Sequence, residues 1–537
     1  MRQIWLQPCP GTIGFRQLKQ TSDEVAPKPQ WHTTERQRSF ASDKEESFRL
    51  LSRTIHREVF MESRSMRAAE RISQLFAGIA VILLAACSHV PYKNMTYLDK
   101  TAACTAVFEQ RWPQENLNFA DLSDAERRCY ASSYEYTTDT DLLIAEFDDQ
   151  GWIPADAAMN ASSSTDELDR LFQRFARIRE KYCNDISLVL FIHGWHHNAG
   201  PEDTNLRDFR HLLTTLSANE QRSSVTQPTC PGLAAPLTGR HVVGIYVGWA
   251  GESINVPGIK YTTVEDRKLT AQKVAQGSVR ELLARLTLLR ERYGRPDKKD
   301  PHQGSGMRML SIGHSFGGLI LFESLQQALI KDAVPLGERS KGQSDDIRYA
   351  NRQGDLVVLV NPAFEATRYE ALRRAAERVG EFAPDQYPVF ISVTSNGDIW
   401  TGKVFSAFRS ISTFLEKTNE GSEREANRST IGHNDRYITH DLQVCPKNEG
   451  ANCKPDVCVH GSGPPPPTGF STFGQRTVIC ELSLTARAKF AQTHNPYWVV
   501  QTNDLIVQGH DGFFNKNFES FVTEMYTIVD DRKSRTR

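Results

Sequence analysis

The chain has 537 residues, 64 lysines and arginines against 65 aspartates and glutamates, a formal net charge of −1 and a pI near 7.0. Neither sign dominates and no run of Lys or Arg forms a stripe, so the electrostatic footprint of a nucleic-acid binder is missing. The composition, 39% hydrophobic and 24% charged, suits a folded, secreted protein.

The first informative segment is apolar. Ile72 to Ala86 follows Arg64, Arg67 and Arg71 and ends in small residues, the pattern of a secretory signal rather than of a comfortable bilayer span. Leu84-Ala85-Ala86-Cys87 resembles the bacterial lipoprotein lipobox. The resemblance implies cleavage before Cys87 and acylation of that cysteine, which anchors a domain stably when several chains are attached. Ser88 after the cysteine then implies the outer membrane, facing the periplasm, in a Gram-negative cell envelope. The competing reading is an ordinary anchoring helix with a chance cysteine. Met61 or Met66 would start a signal of normal length, so residues 1–60 are expected to be a gene-start error or an unstructured extension, and 61–86 the signal peptide. Residues 87–140 read as a tether and small cap.

From Asp141 onward apolar runs alternate with amphipathic ones. Asp141–Phe147 reads as a strand, and Ser164-x-x-Glu167 as a capping box opening a helix with Leu168, Leu171, Phe172, Phe175 and Ile178 on one face. Strand Ile186–Ile192, a helix through Leu206, Phe209, Leu212, Leu213 and Leu216, strand His241–Val247 and one long helix over Lys268–Arg292 follow. Then come strand Met307–Ile312, its helix Leu319–Ile330, strand Leu356–Val360, helix Ala366–Val379, strand Tyr387–Val393, and, late in the chain, a strand-like Leu505–Gln508 before an amphipathic Phe518–Ile528. Continuous apolar strands alternating with helices predict an α/β fold, with a mostly parallel sheet covered on both faces. Such sheets carry their sites at the carboxyl ends of the strands.

That rule sorts the motifs. Gly313-His314-Ser315-Phe316-Gly317 stands between strand and helix, where a serine is held out beside the free N–H groups of a helix start. The pentapeptide is a weak signal taken alone; its setting is what makes Ser315 a candidate nucleophile. His193-Gly194-Trp195-His196-His197-Asn198 falls at the end of an earlier strand. These motifs in this order resemble the α/β-hydrolase superfamily, in particular its bacterial esterase and lipase-like branch, over Asp141 to the end of the chain. The resemblance implies an oxyanion hole from the backbone N–H of Phe316 and one from Gly194–Trp195, then an acid, then a histidine. A metal site on His193, His196 and His197 matches no zinc spacing and lacks an acidic partner.

For the acid, Asp398 follows the strand ending at Val393 and is the first candidate, with Glu365, one strand earlier, the runner-up. Among the histidines beyond Asp398, namely His433, His440, His460, His494 and His510, the strand, loop, helix setting favours His510 as base, with His433 as runner-up. Trp249 is either a wall of the acyl pocket or a packing tryptophan. Residues 401–474 break the rhythm as an insertion, either a lid or a disulfide-pinned loop. Eight cysteines besides Cys9 and Cys87 suit an oxidising compartment, with Cys104–Cys129 and pairs among Cys445, Cys453, Cys458 and Cys480 expected, and Cys183 open to being a plain buried hydrophobe. The expectation is therefore a lipid-anchored serine hydrolase that cleaves carboxylic esters, small-molecule or lipid, without a cofactor. A thioesterase or acyltransferase with the same triad, and a non-catalytic binding or scaffold lipoprotein on the same fold, remain the alternatives.

Overall fold

A computed structural model of the chain describes residues 134–137, 139–153, 167–200, 203–222, 230, 233, 238–251, 264–294, 306–334, 353–379, 382, 386–414, 416–418, 420–446, 453–458, 475–490 and 493–530. Cys87, Cys104, Cys129, Ser164 and His460 lie outside them. The elements run β1 (Tyr134–Tyr136), β2 (Thr140–Phe147), α1 (Glu167–Lys181), β3 (Ile186–Ile192), α2 (Thr204–Gln221), β4 (His241–Trp249), α3 (Val264–Gln276), α4 (Val279–Tyr293), β5 (Arg308–His314) and α5 (Phe316–Ala333). They continue with β6 (Leu356–Val360), α6 (Ala366–Val379), β7 (Phe390–Ser395), a π-helical turn (Trp400–Val404), α7 (Phe405–Ser412), α8 (Gly421–Arg428), a 3₁₀ turn (Ile431–His433), β8 (His440–Val444), β9 (Arg476–Ile479), β10 (Leu482–Ala486), β11 (Tyr497–Thr502) and α9 (Lys516–Asp530).

Among the described residues eleven strands form one sheet, in the order β1-β2-β4-β3-β5-β6-β7-β11-β8-β10-β9. From β2 across to β8 every neighbouring pair is parallel, while β1 at one edge and β10 and β9 at the other pair antiparallel. The fold class is α/β, as the alternation predicts, because strands buried on both faces are largely apolar: β3, β5 and β6 are buried throughout, with Ser187 in β3 and Arg308, Ser311 and His314 in β5 the polar positions among them. One face packs against α1 and α3 to α6, the other against α2 and α9. The five residues predicted for the apolar face of α1 are all buried there.

Several elements differ from their sequence reading. The predicted long helix is two, broken at Gly277–Ser278, because the turn after β2 crosses there: Ser278 N donates to Gly151 O at 2.8 Å, and a Cβ on Gly277 would stand 2.2 Å from that same oxygen. β7 begins at Phe390 rather than Tyr387 and runs to Ser395. Leu505–Gln508 is no strand; Ile506 and Val507 N both donate to Asn503 O at 3.0 Å in a turn that buries the two side chains, and the strand before it is β11. The stretch after Asp398 is also more than an insertion, since β8 pairs with β11 and brings β10 and β9 onto the sheet. Cys445–Cys453 and Cys458–Cys480 are disulfides as grouped by sequence, whereas Cys183 is bonded to Cys230. Among the described residues no helix is long and apolar enough to cross a membrane.

Candidate active site

The chain passes from β3 to β4 on one side and from β4 across to β5 on the other, so β3 and β5 are neighbours and the connections that leave them diverge. Such a reversal opens a crevice at the carboxyl ends of the strands. It places Gly194, after β3, directly beside Ser315, after β5: a Cβ on Gly194 would sit 2.9 Å from Ser315 Cβ.

Ser315 links β5 to α5 with φ 55° and ψ −118°, a conformation that costs an L-residue on the order of 1–3 kcal/mol. Backbone bonds on both sides hold it. Its N–H donates to Val360 O at 3.0 Å, and its carbonyl accepts from Leu319 N at 3.2 Å and Ala363 N at 3.1 Å. The turn brings α5 so close to β3 that a Cβ on Gly317 would meet Ile192 O at 2.1 Å. Phe316 opens the helix, where the first backbone N–H groups have no partner within the helix.

His510 lies between β11 and α9, on a tight loop closed by Gln508 N to Gly512 O and Gly512 N to Gln508 O, each 3.0 Å. Its Nε2 lies 2.8 Å from Ser315 Oγ and its Nδ1 2.8 Å from Asp398 Oδ2. A carboxylate only accepts, so Nδ1 carries the proton and Nε2 is left to accept from the serine hydroxyl. Burial works against charging His510, but the hydrogen bond and charge of Asp398, with Asp511 adding, outweigh it and set its pKa above the usual 6.5. Asp398 follows β7; its Oδ1 accepts from Trp400 N at 2.9 Å and Thr401 N at 3.3 Å, and its Oδ2 accepts from the Thr401 hydroxyl as well as from His510. Burial raises its pKa, yet these donors and the His510 charge hold it below the ordinary carboxylate value.

The runner-up residues stand elsewhere. Glu365 is sealed in an ion-pair cluster with Lys268 (2.5 Å), Arg368 (2.7 Å) and Arg409 (3.1 Å). His433 reaches Thr401 Oγ1 at 3.1 Å, one residue removed from Asp398, and His440 opens β8 with Nδ1 against Thr439 Oγ1. His193 spends both ring nitrogens on backbone, Nδ1 donating to Gly194 O at 2.9 Å and Nε2 accepting from Trp249 N at 3.1 Å. Burial presses its pKa down to about 4, so the ring stays neutral and pins the Gly194 turn. Trp249 is a packing residue: its ring is buried, stacks on His193 and donates to His193 O at 2.9 Å.

A cleft open to solvent lies over Ser315 and His510. Trp195, Val264, Phe316, Ala363, Trp400, Val404, Phe405 and Phe408 make most of its wall, and Glu265, Lys268 and Arg409 stand at it. No sequence pattern marks Thr401 or Phe408; the signal available was position, since Thr401 sits three residues after Asp398, as a cap partner would. No protein-family model, curated protein or solved structure matches the chain.

Proposed function

We propose that the protein is a serine hydrolase of the α/β-hydrolase fold that cleaves carboxylic esters through an acyl-enzyme. The observation that carries this reading is the single histidine, His510, bridging Ser315 and Asp398 at 2.8 Å on each side, at the carboxyl ends of parallel strands. Three residues 83 and more positions apart converge in the order that acyl transfer requires.

In the proposed reaction His510 Nε2 takes the Ser315 proton as Oγ attacks the ester carbonyl. The imidazolium so formed is stabilised by the Asp398 carboxylate, itself oriented by Thr401. The oxyanion is received by the Phe316 N–H at the start of α5 and by an N–H of the Gly194–Trp195 turn. His510 then protonates the leaving alcohol, and water repeats the sequence on the acyl-enzyme. The apolar wall of the cleft suits an ester with an apolar acyl group, small-molecule or lipid. The lipid anchor at Cys87, and with it a place in the bacterial envelope, belongs to the proposal; three disulfides among the described residues support an oxidising, extracytoplasmic setting.

The test is covalent labelling of the full chain with a fluorophosphonate probe, wild type beside Ser315→Ala. Labelling confined to the wild type supports the reading. A folded wild type that stays unlabelled, with substrate esters also uncleaved, refutes it.

A further inference from the structure

Asn361 follows β6 directly and touches none of the reacting atoms, yet it joins the segments that carry the acid and the base. It is fully buried and has φ 43°, a left-handed conformation that asparagine tolerates better than most residues. Its backbone N–H donates to Val393 O on β7 at 2.8 Å, and its side-chain Oδ1 accepts from Ser395 N, the last residue of β7, at 2.9 Å. Its Nδ2 donates to Gly509 O at 2.9 Å and to His510 O at 2.8 Å. One planar amide therefore grips the end of the acid strand by its oxygen and the base loop by its nitrogen.

The base loop has a second grip at the same atom. His314, the residue before Ser315, lies with Nε2 3.0 Å from His510 O. A carbonyl only accepts, so Nε2 carries the ring proton, and burial keeps His314 neutral by holding its pKa well below the usual value.

We infer that Asn361 is a positioning residue, whose side-chain amide sets the distance between the His510 ring and its partners by fixing the His510 carbonyl to the end of β7. The kinetic consequence rests on the hydrolase reading; the geometric one does not. The amide is specific for the task. Leucine has neither donor nor acceptor, an ionised aspartate would face two carbonyl oxygens, and serine is too short to span both loops. A shift of about 1 Å in the His510 ring is enough to lower catalysis on the order of a hundredfold.

The test uses the full chain with Asn361→Ala and Asn361→Asp, and reads two quantities. One is the rate of Ser315 acylation by the fluorophosphonate probe; the other is the low-field NMR resonance of the proton between His510 Nδ1 and Asp398. Asn361→Ala should label on the order of a hundredfold more slowly and lose the resonance, with its melting curve still cooperative. Asn361→Asp should retain much of the rate near neutral pH, because the buried carboxyl stays protonated and its O–H replaces one amide donor. Its rate should then fall along a new alkaline limb, as ionisation turns that contact repulsive. The titratable groups around it are His314, His510, Asp398, Asp504 and Asp511, and the wild type shares all of them, so the added limb belongs to the new carboxyl. Wild-type rate and resonance in Asn361→Ala overturn the inference. So does a slow Asn361→Ala that keeps the resonance, or an Asn361→Asp profile parallel to wild type. If the alanine variant does not fold, the aspartate profile decides. A wild type that shows the resonance but never labels, with the resonance lost in Asn361→Ala, sinks the hydrolase reading and leaves the positioning role standing.

Discussion

Gly194→Ala tests the oxyanion side of the site with a single methyl group. Gly194 is not among the residues of positive φ, so alanine meets no backbone strain and only space decides. The added Cβ would lie 2.7 Å from His314 Nδ1, 2.9 Å from Ser315 Cβ and 3.1 Å from His314 Cε1, against an ordinary contact of 3.4 Å or more. His314 cannot give way: it is completely buried, holds His510 O at 3.0 Å and packs on Phe513 with ring centroids 4.5 Å apart. Ser315 is tied by three backbone bonds. The Gly194–Trp195 turn must therefore retreat by roughly half an ångström, taking its N–H away from where the proposed reaction develops its oxyanion. Loss of one such donor costs about 10²–10³ in kcat, or about 3–4 kcal/mol of transition-state stabilisation, while the crowding itself costs about 1–3 kcal/mol of stability. The assay is the pre-steady-state burst with a chromogenic short-chain ester, run beside urea denaturation. A slower burst with KM within a few-fold of wild type is expected; an unchanged burst in a folded variant would refute the placement of the oxyanion hole at this turn.

Three further outcomes follow from named contacts. In the wild type kcat/KM should rise with pH through the His510 pKa, above 6.5; Asp398→Asn removes the charge that raises it and leaves burial, so the limb should move to lower pH while the plateau falls by about 10³–10⁴. A limb that moves upward or not at all contradicts the assignment of Asp398. Burial alone would raise the Glu365 pKa, but Lys268 and Arg368 bring it down to about 2 from 4.5, so the folded state gains stability above the ordinary carboxylate value and loses it as pH falls through that window. Glu365→Gln should therefore cost about 3 kcal/mol at pH 7 by urea titration, and much less near pH 2; equal stability at pH 7 would show the cluster to be neutral. Replacing Cys458 and Cys480 by serine opens a loop of 22 residues, and the chain-entropy estimate is about 3 kcal/mol; an unchanged denaturation midpoint would show that β9 and β10 hold that edge without it.

Much of the parallel sheet was legible because a strand covered on both faces is apolar at nearly every position, and Ile186–Ile192 and Leu356–Val360 agree in their bounds in sequence and structure. The same local logic placed Ser315 between strand and helix, and strand-end position singled out Asp398; His510 was favoured for following a strand at Leu505–Gln508 that is a turn instead, and the fold nonetheless brings it to both. What local pattern could not supply was neighbourhood. The break at Gly277–Ser278 depends on a turn more than a hundred residues earlier, and Ile506 and Val507 are apolar because a turn buries them in the core, not because they pair in a sheet. The Cys183–Cys230 bond likewise needs the chain to return over 47 residues. Asn361 carries no motif; its amide matters only because β7 and the His510 loop both come to it. Sequence by itself determined the elements whose hydrophobic period is local and the order of the reactive side chains along the chain. Only the tertiary structure decided which strands became neighbours, and so which glycine faces the serine and which side chains hold the acid and the base, because hydrogen-bond reach is about 3 Å in space whatever the separation along the chain.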